Sequence, residues 1–139
     1  LDKSLDSIPF RNESTRLLGM IVATADLLSQ MADRVYLEKL LLLYQEMDEA
    51  GIPGFDSVLS LLEKTLSFYD SIKHRMASEL GNADEYMAVH FREKWALDYD
   101  PYQESLQKNI NHLNMILEKC KNVFRTNLRR GGILDTIDL

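Results

Sequence analysis

Apolar residues recur in steps of three and four along most of the chain, and no stretch alternates with a period of two. That rhythm predicts helices and leaves no strand pattern to compete with them. In the first block Leu17, Leu18, Ile21, Ala25, Leu28 and Ala32 keep helical spacing, and Glu13 and Ser14 suit a helix beginning, which predicts a helix over about residues 12 to 32. The second block, about 34 to 49, places Leu37, Leu40, Leu41, Leu42, Leu43, Tyr44 and Met47 around most of the circumference, so a central helix covered on several sides is expected. Gly51 and Pro53 stop it. A third helix is predicted from about Asp56 to Leu80, with a stripe of Val58, Leu62, Leu66, Tyr69, Ile72, Met76 and Leu80 and with Gly81 as its C-terminal cap.

Asn82, followed three residues later by Glu85, reads as a capping-box variant that starts a short helix carrying Tyr86, Met87, Phe91 and Trp95. Asp100 and Pro101 form an N-cap and first-turn pair for a fifth helix over about 101 to 129, ending in Arg129, Arg130, Gly131 and Gly132. Along it Leu106, Ile110, Leu113, Leu117, Cys120 and Phe124 repeat in alternating steps of four and three, a coiled-coil-like seam that needs a partner helix. Packing against the third helix of the same chain is the ordinary solution, and a second chain is the alternative. The fold class expected is therefore all-α, a bundle of about five helices.

Length and composition agree with a packed domain: 139 residues, 45% hydrophobic and 27% charged, with three prolines, can bury a core without disulfides. The formal charge of -6 repels phosphate backbones and anionic bilayers, which argues against nucleic acid or a membrane as partner. The longest apolar run, Leu40 to Tyr44, falls far short of the roughly 20 residues that span a bilayer. A lone Cys120 cannot form an internal disulfide and fits a reducing compartment, so a cytoplasmic location is expected. The chain opens Leu1-Asp2-Lys3-Ser4 without methionine or signal peptide, which suggests a piece of a longer protein.

Residue types able to do chemistry are scattered. His74, His90 and His112 fall in different blocks, none in an HExxH helix and none followed by Asp, so each reads as a partly solvated helix residue. Cys120 lies on the apolar seam, where a small thiol packs well, with no histidine adjoining it in sequence. Gly51-Ile52-Pro53-Gly54 lacks the lysine and the preceding strand of a phosphate loop. Arg125, Arg129 and Arg130 suit a last helical turn, where cations complement the helix dipole, although they are also able to bind a phosphate. Asp26 stands apart. It sits away from the centre of the first apolar stripe, on a face shared with Gly19, Val22, Ala23, Gln30 and Asp33, where small neighbours would let another helix or a metal approach. A solvated acid on an outer face is the plainer reading.

The run from Leu18 to Arg34, LGMIVATADLLSQMADR, followed by Tyr36-Leu37-Glu38-Lys39-Leu40, resembles the last core helix of HD-domain metal-dependent phosphohydrolases. Gly54-Phe55-Asp56-Ser57, Phe68-Tyr69, His90-Phe91, Trp95 and Asn109-Ile110 loosely resemble the helical extension that follows that core in some bacterial proteins of this kind. The resemblance implies that residues 1–52 are the C-terminal part of an HD-type core and 53–139 a helical extension packed with it as one unit. It implies that Asp26 matches the aspartate which completes a site begun by an upstream histidine and a His-Asp dyad. It further implies a divalent metal ion and phosphoester hydrolysis in the full-length parent, in which metal-bound water attacks phosphorus. This chain departs from the family by containing no His-Asp pair, so the segment alone is expected to hold no metal tightly and to be inactive. The upstream part of the parent is then its first partner. The alternative is a non-catalytic helical dimerisation or signalling module, a homodimer using the seam and the apolar tail Ile133, Leu134, Ile137 and Leu139.

Overall fold

A computed structural model of the chain describes residues 7–128. Among them the structure is all-helical: α1 (Glu13–Met31), α2 (Tyr36–Glu49), α3 (Val58–Ser78), α4 (Glu85–Trp95), α5 (Pro101–Lys119), a 3-10 turn (Lys121–Val123) and a last turn, α6 (Phe124–Asn127). The ends are set by short polar side chains. Asn12 caps α1 by accepting from the Thr15 backbone N–H at 2.8 Å, Ser57 caps α3 through the Ser60 N–H, and Asp100 caps α5 through Tyr102 and Gln103 with Pro101 in the first turn.

The helices close on two adjoining cores. One gathers Leu37, Leu40 and Leu41 of α2, Val58, Leu61 and Leu62 of α3, Leu113 and Ile116 of α5, and Leu128. The other gathers Leu28 and Met31 of α1, Tyr69, Ile72 and Met76 of α3, Leu80, and Leu106 and Ile110 of α5. Each core therefore draws on residues from both sides of position 52, and α5 lies against α1, α2 and α3. Its apolar seam is consumed inside the chain, chiefly by α1 rather than by α3 alone.

Four details differ from the sequence pattern. In α1 the buried face is Thr24, Leu28 and Met31, while Leu17 and Leu18 are exposed. The core thus sits to one side of the stripe that spacing alone suggests. In α2 Leu43 is exposed, so coverage is less complete than expected. Asn82 is not the cap of α4: it has a φ of 52° in the turn after α3, next to Gly81 at φ 60°, and Asp84 takes the cap position without a side-chain hydrogen bond. The fifth helix stops at Lys119, ten residues early, because the chain turns at Cys120 to bring Leu128 fully into the first core. Asn127 Nδ2 donates to the Val123 carbonyl and His112 Nε2 lies 2.9 Å from the Asn127 carbonyl, holding that turn against α5. As a result the buried α5 position is Ile116 and Leu117 is only half-buried. The tail from Arg129, with Ile133, Leu134, Ile137 and Leu139, lies outside the described residues.

Tyr36, at the start of α2, packs against both cores. Burial disfavours the phenolate and pushes its pKa from the usual 10.0 up to about 12. A folded value above the unfolded one means this contribution to stability is complete below pH 10 and is lost as pH rises toward 12. The gap corresponds to about 2–3 kcal/mol. Urea midpoints at pH 9 and pH 11.5 should fall steeply for the native chain and less for Tyr36→Phe; equal falls would contradict the assignment.

Candidate functional site

Because Thr24, Leu28 and Met31 turn inward, the opposite face of α1 is presented to solvent. Leu18, Val22, Asp26 and Ser29 follow one another there in steps of four, four and three, which aligns them along one side of the helix. Leu18 and Val22 are 62% and 66% exposed, unusual for large apolar residues in the middle of a 19-residue helix. Asp26 continues their line as an exposed carboxylate, its Oδ1 accepting from Gln30 Nε2 at 2.9 Å. Ser29 Oγ donates to the Asp26 carbonyl at 3.0 Å, which keeps that serine folded back on the helix.

One turn beyond Asp26 the surface dips into a depression of about 330 Å³ lined by Ser29, Ala32, Asp33, Phe91, Pro101, Tyr102 and Ser105. Its aromatic wall is built by α4 and α5, where the Phe91 and Tyr102 rings lie 5.7 Å apart. Asp33, the other acid of the α1 face, is a structural group. Its Oδ1 accepts from the Val35 N–H at 3.0 Å and its Oδ2 pairs with Lys39 Nζ, tying the α1–α2 turn to the first turns of α2. The Lys39 bond, followed by the Val35 N–H, holds the Asp33 carboxyl below its usual pKa against a smaller opposing effect of burial. A depressed folded pKa means the bond stabilises above the unfolded value and is lost as pH falls through the folded one. Asp33→Asn should therefore cost about 0.5–1 kcal/mol at pH 7, a modest figure because the pair is partly solvated. That cost should disappear in acid, once the carboxyl is protonated in both folded and unfolded chains, and a pH-independent cost in urea melts would contradict this account.

The remaining candidates are dispersed. His74 and His90 are exposed, and His90 meets Phe91 edge-on at 5.4 Å. His112 is half-buried against the α6 turn, and Cys120 is half-buried at the end of α5. Arg125 lies 5.8 Å over the Phe124 ring. Among the described residues no three His, Cys, Asp or Glu side chains stand close enough to hold a metal ion together. Asp26 offers one carboxylate toward such a centre and no companion ligand from the described residues.

Two buried polar residues escaped the sequence reading. Glu38 is 1% exposed, flanked on α2 by the buried Leu37, Leu40 and Leu41. Asn109, 2% exposed on the inner face of α5, donates its Nδ2 to the carbonyls of Met31 at 2.9 Å and Asp33 at 2.8 Å. A polar residue interrupting an apolar stripe was the available signal, but its partners lie 78 and 76 residues away. Comparison of the chain with protein families, with curated proteins and with solved structures returns no match.

Proposed function

We propose that this chain is the C-terminal helical portion of a metal-dependent phosphohydrolase of the HD superfamily, delivering Asp26 from α1 to a centre whose other ligands lie upstream in the parent. The observation that carries this reading is the outer face of α1. There the exposed Leu18 and Val22 lead in line to the Asp26 carboxylate, on a face this bundle leaves open. Apolar residues so placed gain about 25 cal/mol per Å² when covered, so a preceding segment laid along them would be stabilised and would approach Asp26 at the same time.

The depression beside Asp26 supports the second half of the reading, in which α4 and α5 form the substrate-shaping extension. Phe91 and Tyr102 offer apolar faces and Ser105 a hydroxyl to that depression. A divalent cation bound in the parent would supply the positive charge that phosphoester hydrolysis requires. A hard cation takes six or more oxygen ligands, so one carboxylate from this chain contributes a position rather than a site. The chain's own residues orient that carboxylate: the regular α1 backbone fixes its height, and Gln30 holds one oxygen.

The competing reading is a non-catalytic helical module. With the α5 seam occupied internally, such a module would pair through another apolar surface, such as the outer face of α1, α4, where Tyr86, Val89 and Trp95 are exposed and no residue is buried, or the tail Ile133, Leu134, Ile137 and Leu139. Solution mass of the full-length parent and its metal-dependent phosphatase activity separate the two. A hydrolase that loses activity on Asp26→Asn supports the first; an inactive dimer dispersed by Val22→Asp supports the second.

A further inference from the structure

The two hydrogen bonds of Asn109 do more than close a core. By fixing the carbonyls of Met31 and Asp33, they pin the α1–α2 turn to the side of α5, and the next residue in that turn is Arg34. There Arg34 shares an open groove of about 690 Å³ with Lys108, Asn111, His112 and Met115. Two cations distant in sequence are thus held at one spot by a buried contact, in a chain whose net charge is -6. No Asp or Glu is among the described residues lining the groove. Arg34 alone could be explained by the carbonyls ending α1, which favour a nearby cation. That does not explain the convergence with Lys108 and Asn111 of α5.

The polar side chains lining the groove all carry hydrogen-bond donors. Arg34 has no ion-pair partner among the described residues. Among the described residues Lys108 pairs with Glu104, one turn earlier on the exposed face of α5, at 2.6 Å. Gln107 Nε2 donates to Asn111 Oδ1 at 2.9 Å, which leaves the Asn111 amide NH2 as its donating end. A carbonyl can only accept, so His112 Nε2 carries the hydrogen it gives to Asn127, and this pins the ring at the groove's edge. A guanidinium fork, an ammonium and an amide around an opening without carboxylates match a multivalent oxyanion.

We propose that this groove binds a soluble multivalent oxyanion, the phosphate or diphosphate group of a small ligand, gripped by Arg34 and Lys108 with Asn111 donating. The site is separate from Asp26 and does not rest on the phosphohydrolase reading. The test is titration of the full chain with inorganic pyrophosphate at low ionic strength and without divalent metal. Calorimetry would be paired with amide and imidazole NMR shifts, and circular dichroism would check that each variant folds. Saturable one-to-one binding that perturbs Asn111 and His112 is expected. Arg34→Ala should weaken it about tenfold, Arg34→Ala with Lys108→Ala should remove it, and Lys73→Ala and Asp26→Asn should leave it unchanged. Non-saturating shifts, native affinity retained in Arg34→Ala and in the doubly substituted variant, or sedimentation with phosphatidylserine vesicles without saturable pyrophosphate binding would each overturn the proposal.

Discussion

Asn109→Leu is expected to lower the unfolding free energy by about 2–4 kcal/mol, although leucine has nearly the same size and suits a buried helix position. Asn109 Nδ2 serves two backbone carbonyls in a place where only 2% of the residue meets solvent. Removing the donor leaves Met31 without that partner at the end of α1 and weakens the satisfaction of Asp33, whose carbonyl also accepts from the Tyr36 N–H at 3.0 Å. Each buried group deprived of a hydrogen bond costs about 1–3 kcal/mol, and the gain from one more apolar side chain does not offset two of them. Asn111→Leu, two residues on, should change stability by less than about 0.5 kcal/mol, because its bond to Gln107 is exposed. Equilibrium urea unfolding of both variants measures the difference. Equal stabilities would mean that Asn109 is not the clamp described.

That residue also marks the boundary of what could be read in advance. Helix periods, the Asp100-Pro101 start and the stop at Gly51-Pro53 are local signals, and the helices formed where those signals lay. Long-range packing decides the rest. Nothing between Lys119 and Val123 breaks a helix by composition, yet α5 ends there because burying Leu128 in the core outweighs about three more turns of exposed helix. The phase of α1 is a similar case: spacing permits Leu17 and Leu18 on the inner stripe, and only contact with α3 and α5 selects Thr24, Leu28 and Met31. Asp26 was visible as an acid off the stripe, but its alignment with two exposed apolar residues required the helix phase. The Arg34 and Lys108 groove could not be seen at all, since a contact across the bundle creates it.

On the proposed phosphohydrolase reading, Asp26→Asn in the full-length parent should reduce activity about 100-fold or more while the fold is retained. The substitution preserves size and the acceptor that Gln30 uses, so the bundle has no reason to change. It removes the negative charge that a carboxylate presents to a divalent cation, and a neutral amide oxygen is the weaker ligand for a hard ion. Asp33→Asn should leave turnover nearly unchanged. Asp33 lies beyond the end of α1 in the α1–α2 turn, and its oxygens are engaged by Lys39 and Val35. The two substitutions therefore exchange phenotypes: one affects rate and spares stability, and the other affects stability and spares rate. Melting curves and initial rates on the same preparations would show this crossing pattern, and a shared loss of both properties would contradict it.

The measurement that bears most directly on the role of Asp26 is the divalent metal content of the purified parent, determined by elemental mass spectrometry for the native protein, Asp26→Asn and Asp33→Asn. The native and Asp33→Asn proteins should carry the same metal per chain, and Asp26→Asn should carry markedly less. If Asp26→Asn retains the native stoichiometry, the carboxylate at the end of the exposed face of α1 is an ordinary solvated acid and the chain's assignment to a metal-dependent phosphohydrolase loses its support.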